Sequence, residues 1–446
     1  MSTKRCSSLL ALLAATMPVV LSAQEAALPA LLAEADTANP EILAAKRAAE
    51  AATARVPQAG ALPDPMLGIG FMNVPVTSPG LGSDMMTMTK VQVGAQLPWP
   101  GKLSLREDVA RFGAEAAGWE LERARDRIRT EVKATYYQAY FVDRALEVTA
   151  RNETLVSDFA LLTSSKYAVG TGAQPDVLKA QVERSRLADQ LIALREERTG
   201  LVARLNALLG RPTDTPLLST ELPEEVRAVA LLSSTDELSF ASATLSGVLP
   251  GSSDPSGPLQ SVADLERQAL EHNPTIQAHV RRVAAQERAV ALAETAKLPD
   301  LSLTAAYSYR LGLGDFFEFM VSAPLPIFAG RKQDQAALEQ AATLAEQQAR
   351  YHAMVNDVNA DIASLWADLQ RARDQIVLLN EGILPQARTS LSSATASYQV
   401  GAVDFLTLLD SQVTLYRHEL DYHRLLADFA NNLAALERAV GTEVLR

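Results

Sequence analysis

The sequence predicts an α+β protein, mostly α, in which long coiled-coil helices carry four short strands and the whole plan occurs twice. The first sign is a seam. From Leu408 the positions Leu408, Gln412, Leu415, Glu419, Tyr422, Leu426, Phe429, Leu433, Leu436 and Val440 advance by four and three in strict alternation, which keeps one stripe on one side of a helix. The second sign is an offset. Tyr167, Gly170 and Val177 recur 231 positions later as Tyr398, Gly401 and Leu408. The earlier copy opens its own seam through Ala180, Arg184, Leu187, Leu191, Leu194, Arg198, Leu201, Leu205 and Leu208. Such self-similarity at a fixed spacing is the mark of an internal duplication.

Composition narrows the class. Of the 446 residues, 48% are hydrophobic, 21% charged and 5% aromatic, so the chain can fold, and its alanine-rich heptads suit long, closely approaching helices. A net charge of −12 argues against a nucleic-acid partner, which would require a basic face. Residues 1–23 read as a secretory signal: Lys4 and Arg5 form the basic end, Ser7 to Leu21 the apolar core, and Ala23 the small residue before cleavage. Pro18 and the short apolar run argue against a stable membrane helix there. Removal of the signal takes the balance from −12 to −14 and discards Cys6, the chain's single cysteine. The mature chain then has no thiol for a disulfide, a soft metal or a lipid anchor. No later segment offers 18 apolar residues in a row, so no helix is expected to cross a bilayer.

The first repeat spans 24–210. Asn39-Pro40 combines an N-cap residue with proline at the first helical position, and the pair recurs as Asn273-Pro274. The helix it starts is expected to run to about Pro57, before Leu62-Pro63-Asp64-Pro65. A hairpin follows over 66–97. Leu67, Ile69 and Phe71 share one parity and Met66, Gly68, Gly70 and Met72 the other. In the return strand Thr87, Thr89, Val91, Val93, Ala95 and Leu97 oppose Met86, Met88, Lys90, Gln92, Gly94 and Gln96. Residues 211–258, rich in Pro, Ser, Thr and Gly, read as a linker with a small insert outside the helices.

The second repeat, 259–446, carries its hairpin at 300–325: Leu301, Leu303, Ala305, Tyr307 and Tyr309 on one face, joined by Phe317, Phe319, Val321, Ala323 and Leu325. Each hairpin leaves through prolines, Pro98-Trp99-Pro100 and Pro324-Leu325-Pro326, into a long helix. From Leu103 to Lys166 that helix would reach about 95 Å. In the second copy Pro385 should kink it, because proline removes a backbone bond.

Ten-residue strands with one apolar and one polar face fit a membrane barrel wall. A half-buried soluble hairpin shows the same alternation, but the flanking helices leave nothing obvious to cover the apolar face. Four strands cannot close a barrel, for which eight is the usual minimum, and open edges cannot face lipid. The chain is therefore expected to associate. The competing arrangement is a soluble periplasmic coiled-coil scaffold without a pore.

Together the Asn-Pro helix starts, the hairpins with proline exits, and Tyr-x-x-Gly before a leucine-rich helix resemble the TolC-like family of outer-membrane efflux channels. The match is clearest from Leu384-Pro385-Gln386-Ala387 to Leu415-Tyr416. The resemblance implies a homotrimer with a 12-stranded barrel in outer-membrane lipid and an α-barrel tunnel in the periplasm. It further implies a periplasmic adaptor, an inner-membrane pump of the resistance–nodulation–division type, and neither enzyme activity nor cofactor. The stretch Met66 to Lys102 looks most like members serving heavy-metal efflux, while other members export drugs or proteins. Carboxylates just past the second turn form the periplasmic gate in that family. Asp410 falls on one such position, Thr407 stands where some members carry another, and Asp404 is the substitute. Gly170 and Gly401 are the expected adaptor-contact tips.

Other chemistry is sparse. Met66, Met72, Met86, Met88 and Met320 fall on the polar parity of their strands, where thioethers could meet soft cations such as Cu(I) or Ag(I). Flexible filling of the barrel mouth is the plainer account of them. His418 and His423 are one residue too far apart for a zinc-protease pair. His272 and His279, two turns apart, are expected to be exposed helix residues.

Overall fold

The computed structural model describes residues 28–77, 79–80, 84–217, 219–231 and 260–445. The signal at 1–23 and the linker residues 232–258 lie outside the described residues. The elements in order are α1 (Leu28–Ala38), α2 (Pro40–Gly60), β1 (Met66–Met72), β2 (Met88–Leu97), α3 (Lys102–Ala168), α4 (Gln174–Leu208) and α5 (Glu224–Leu231). The second half gives α6 (Val262–His272), α7 (Pro274–Glu294), β3 (Leu301–Tyr309), β4 (Phe316–Ser322), α8 (Gln333–Val377), a π-helical segment Leu378–Ile383, α9 (Leu384–Gln399) and α10 (Phe405–Val440).

The four strands form one antiparallel sheet in the order β1-β2-β3-β4. The register carries the sequence parity across it unbroken. Leu67 faces Val93, Val93 faces Ala305 and Ala305 faces Phe319; likewise Ile69, Val91, Tyr307 and Phe317 make one row. That apolar face is bare: Ile69 is 71% exposed, Phe317 74% and Phe319 66%. The other face carries an ion pair of 2.6 Å between Lys90 and Glu318, spanning β3 over buried Ser308 and Ala306. Among the described residues the outer edges of β1 and β4 are unpaired.

Where the hairpins meet the helices, Lys102 is buried and ties the exit of the first hairpin to the entry of the second. Its Nζ donates to the carbonyl of Leu298 (2.6 Å) and to Asp300 Oδ1 (2.7 Å), which also accepts the Trp99 amide (2.9 Å). From there α3 runs 67 residues, about 100 Å at 1.5 Å per residue.

The main core joins α1, α2, the middle of α3, the end of α4, α5, α6, the start of α7, α8 and the C-terminal half of α10, around Ile128, Val132, Leu205, Leu265, Ile276, Ile362, Leu369, Phe429 and Leu436. Eight of the ten predicted seam positions on α10 are buried, and Leu415 and Tyr422 are half-buried. On α4 the buried stripe is narrower until the helix reaches the main core at Leu205 and Asn206: Ala180, Leu187, Leu194 and Leu201, one residue per heptad, while Leu178, Val182 and Ile192 stay exposed.

Two clasps fix helix starts to helix ends. Asn39 Oδ1 accepts the amides of Glu41 (2.8 Å) and Ile42 (3.3 Å), and its Nδ2 donates to the Leu208 carbonyl at the end of α4 (2.8 Å). Asn273 does the same for Thr275 (2.8 Å), Ile276 (3.1 Å) and the Ala439 carbonyl near the end of α10 (2.7 Å). One amide side chain thus satisfies unpaired donors of one helix and an unpaired acceptor of another. Gly441, at φ +85°, packs against the His272 carbonyl so closely that an added Cβ would lie 2.6 Å from its oxygen.

Three expectations need correction. Helix α2 continues past Pro57 to Gly60, since a proline within the last turn removes only one bond before the natural stop. Pro385 does not sit inside one unbroken long helix but is the second residue of α9. The irregularity lies just before it, in the π-helical segment 378–383, where the Leu384 amide donates to the Leu379 carbonyl five residues back. His272 and His279 do not share a helix, because the Asn273-Pro274 start separates α6 from α7. His279 is not a free surface residue either: its Nδ1 is buried with no partner among the described residues, and burial lowers its pKa.

Candidate functional site

The site lies where two helix hairpins, α3–α4 and α9–α10, end side by side. Each turn has the same cause. Helix α3 ends at Ala168, and Gly170 takes φ +77°; its amide donates to the Tyr167 carbonyl, while the Thr171 amide reaches back to the Lys166 carbonyl (2.9 Å). Helix α9 ends at Gln399, and Gly401 takes φ +80°, with Ala402 N bonded to the Ser397 carbonyl (2.9 Å). Both are Schellman closures, in which a left-handed residue lets the chain reverse and pairs the last carbonyls. Nothing lies within 4 Å of a Cβ built at either glycine, so backbone conformation alone demands glycine there, and both tips are open to contact.

Past the second turn, Asp404 is the N-cap of α10. Its Oδ1 accepts the Thr407 amide (2.9 Å) and the Thr407 hydroxyl (2.6 Å), and these donors hold its carboxyl below the usual carboxylate range. Asp404 and Thr407 therefore act as one capping unit. Asp410 lies one turn beyond Thr407, is exposed, and makes no ion pair among the described residues. It heads an exposed polar stripe through Thr414, Arg417, Asp421 and Arg424.

The tips have a small core of their own: Phe159 from α3, Ala180 from α4, Ala394 and Tyr398 from α9, and Phe405 and Leu408 from α10. Tyr398 and Phe405 meet at 5.7 Å between centroids. Along α3, Phe159 is about 40 Å from Val132 in the main core. Between the two cores lie two smaller apolar clusters, one around Val142, Leu194 and Leu201 and one around Val148, Val156 and Leu187, with buried polar contacts interleaved. Gln412 Nε2 donates to Asn152 Oδ1 (2.9 Å), both side chains being buried, and the hydroxyls of Thr149 and Tyr416 are 3.0 Å apart. Glu419 is gripped by Arg151 (2.6 Å) and by Arg388 of α9 (3.5 Å). Gln412 Oε1 has no partner among the described residues. The seam periodicity reveals Gln412 and Glu419 as polar positions in an apolar stripe, but not their partners Asn152, Arg151 and Arg388, which lie on other helices.

The methionines divide. Met72 and Met88 are direct cross-strand partners at the far end of β1–β2, and Met88 is buried. Met66 and Met320 share one transverse row with Gly94 and Thr304, on opposite edge strands. Met86 does not join a strand: β2 begins at Met88, and Met86 is in the preceding turn, where Asn73 at φ 55° ends the pairing. Among the described residues no group of three or more His, Cys, Asp or Glu is placed to hold a metal ion, and no helix is long and apolar enough to cross a membrane.

Against known proteins, residues 31–211 and 265–442 match the family model described as outer membrane efflux protein. The chain is 22% identical over 351 residues to the cobalt-zinc-cadmium resistance protein CzcC of Cupriavidus metallidurans, covering 78% of this chain and 76% of that one. Among solved structures it is similar to the outer membrane protein VceC of Vibrio cholerae, with TM-score 0.75, 20% identity, and 95% and 98% of the two chains covered. It is equally similar in fold to the channel CusC, with TM-score 0.75, 17% identity, and 94% and 93% covered.

Proposed function

The chain belongs to the outer membrane efflux protein family, and from that premise we propose that three copies form a passive exit duct of a tripartite efflux system that discharges heavy-metal cations. The observation that carries the duct is the open four-stranded sheet with a bare apolar face. In lipid every backbone group of a strand must be paired, so such a sheet needs neighbours on both edges. Three copies supply 12 strands in one closed wall. The long helices then enclose a periplasmic tunnel whose narrow end is formed by the paired turns.

In this proposal Asp410 supplies a ring of three carboxylates that attracts cations and sets the resting aperture, with Asp404 and Thr407 fixing the start of the helix that presents it. Gly170 and Gly401 are the tips met by a periplasmic adaptor, which joins the duct to an inner-membrane pump of the resistance–nodulation–division type. The metal assignment is supported by the likeness to CzcC, whose name records cobalt, zinc and cadmium resistance. The thioethers of Met66, Met72, Met88 and Met320 on the lumen side of the sheet add a preference for soft cations.

The deciding experiment is a deletion strain challenged with copper, silver, zinc, cobalt and cadmium and with a panel of drugs, alongside fractionation of the protein. Detergent-resistant trimers in the outer membrane and metal-selective sensitivity are expected. Sensitivity confined to drugs would overturn the metal assignment, and a monomer soluble without detergent would overturn the duct.

A further inference from the structure

Lys166 sits in the last turn of α3, yet its ammonium serves another helix. It donates to the Tyr398 carbonyl and, at 3.3 Å, to the Gln399 carbonyl, and lies 4.4 Å from the centroid of the Tyr398 ring. Those carbonyls are among the last of α9, which that helix cannot pair itself. The Tyr398 carbonyl also accepts the amide of Gly401, so the lysine grips the atom around which the chain reverses. Its own carbonyl meanwhile accepts the amides of Thr171 and Gly172. The main chain of one residue closes the first turn while its side chain holds the second.

The α9 rod has a distinct joint at each end. At its start is the π-helical segment 378–383, a departure from α-helical pairing that favours bending. At its end is Lys166. Between them Arg388 reaches Glu419, which Arg151 of α3 also grips. The tip core around Phe159, Tyr398 and Phe405 is a small apolar cluster distinct from the main core.

We propose that Lys166 is a positioning residue of the gate: it latches the α9–α10 turn, and with it Asp410, to the α3–α4 turn of the same copy, and the rod swings on the π-helical segment only when the latch is broken. This rests on the exit-duct reading above. A charge-assisted hydrogen bond with a cation–π contact is strong enough to matter at an exposed tip.

The test compares the purified wild-type protein with Lys166→Met, Lys166→Gln, Lys166→Arg and, as a control on α2, Lys46→Met, in planar bilayers. Expected is about a tenfold rise in open fraction for the Met and Gln variants. Arg should stay near wild type because it can still donate to both carbonyls, and Lys46→Met should be unchanged. Thermal dissociation of the trimer is measured in parallel. A merely structural lysine would lower that temperature without altering the open fraction, and this result overturns the proposal. So does an open fraction in the Gln variant equal to wild type. A wild-type protein that forms no pore fails at an earlier step and removes the exit-duct reading itself.

Discussion

Replacing Asn273 by Ala tests how the helix ends are held. The side chain is 4% exposed and makes three hydrogen bonds, two as N-cap acceptor and one as donor to the Ala439 carbonyl. Loss of the cap costs about 1 kcal/mol. The Ala439 carbonyl, left without its donor in a half-buried place, adds about 1–3 kcal/mol. The expected destabilisation is thus about 2–4 kcal/mol, read from urea unfolding followed by helical circular dichroism in detergent. Asn273→Asp separates the two parts. It keeps the cap acceptor of both amides but sets a carboxylate oxygen where an N–H donated, so at neutral pH it should be at least as damaging as Ala and should recover when the carboxyl is protonated. Asn39→Ala should cost a similar amount, since its three bonds repeat the geometry. A loss below about 0.5 kcal/mol for both alanine variants, the size of an ordinary surface substitution, would refute the clasp.

The glycines at positive φ should separate by surroundings. Gly401→Ala should cost about 1–2 kcal/mol from the left-handed backbone alone, whereas Gly441→Ala should cost clearly more, because its Cβ would meet the His272 carbonyl oxygen at 2.6 Å; comparative unfolding midpoints check this. Asp410→Ala should raise single-channel conductance and weaken cation block in bilayers, and an unchanged channel would remove Asp410 from the gate. Burial pushes the His423 imidazole down to about 4. Its contribution to stability is then complete above pH 6.5 and lost as pH falls through 4, since only the unfolded chain takes the proton readily. Burial also pushes Asp126 up to about 6, with the opposite trend: its contribution is complete below pH 4 and lost as pH rises through 6. The difference between wild type and His423→Gln, measured from pH 7.5 to 4.5, isolates the histidine.

The parts legible in the sequence were those with a local cause. Strand parity placed Ile69, Val91, Tyr307 and Phe317 on one face before any pairing was known, because side chains alternate whatever the partner strand. The 4–3 spacing on α10 foretold its buried stripe, and the Tyr-x-x-Gly pattern located both turns. The parts that escaped depend on distant residues. Lys166 looks like any basic residue near a helix end, and only packing brings Tyr398 to it. The Asn-Pro starts announced their caps but not the carbonyls of Leu208 and Ala439 that each side chain also serves. Pro385 signals a disturbance of the helix, but not that it takes the form of a π-helical segment before the proline.

The narrow stripe on α4 bears on how such a chain survives its manufacture. A rod with one interior residue per heptad as far as Leu201, flanked by uncovered Leu178, Val182 and Ile192, is adhesive along most of its length. In the proposed three-copy duct that surface stays bare until sister copies arrive, so a newly exported chain would need to find its siblings quickly or be shielded in transit. Raising its production beyond the supply of helpers should yield precipitate before it yields more assembled complexes.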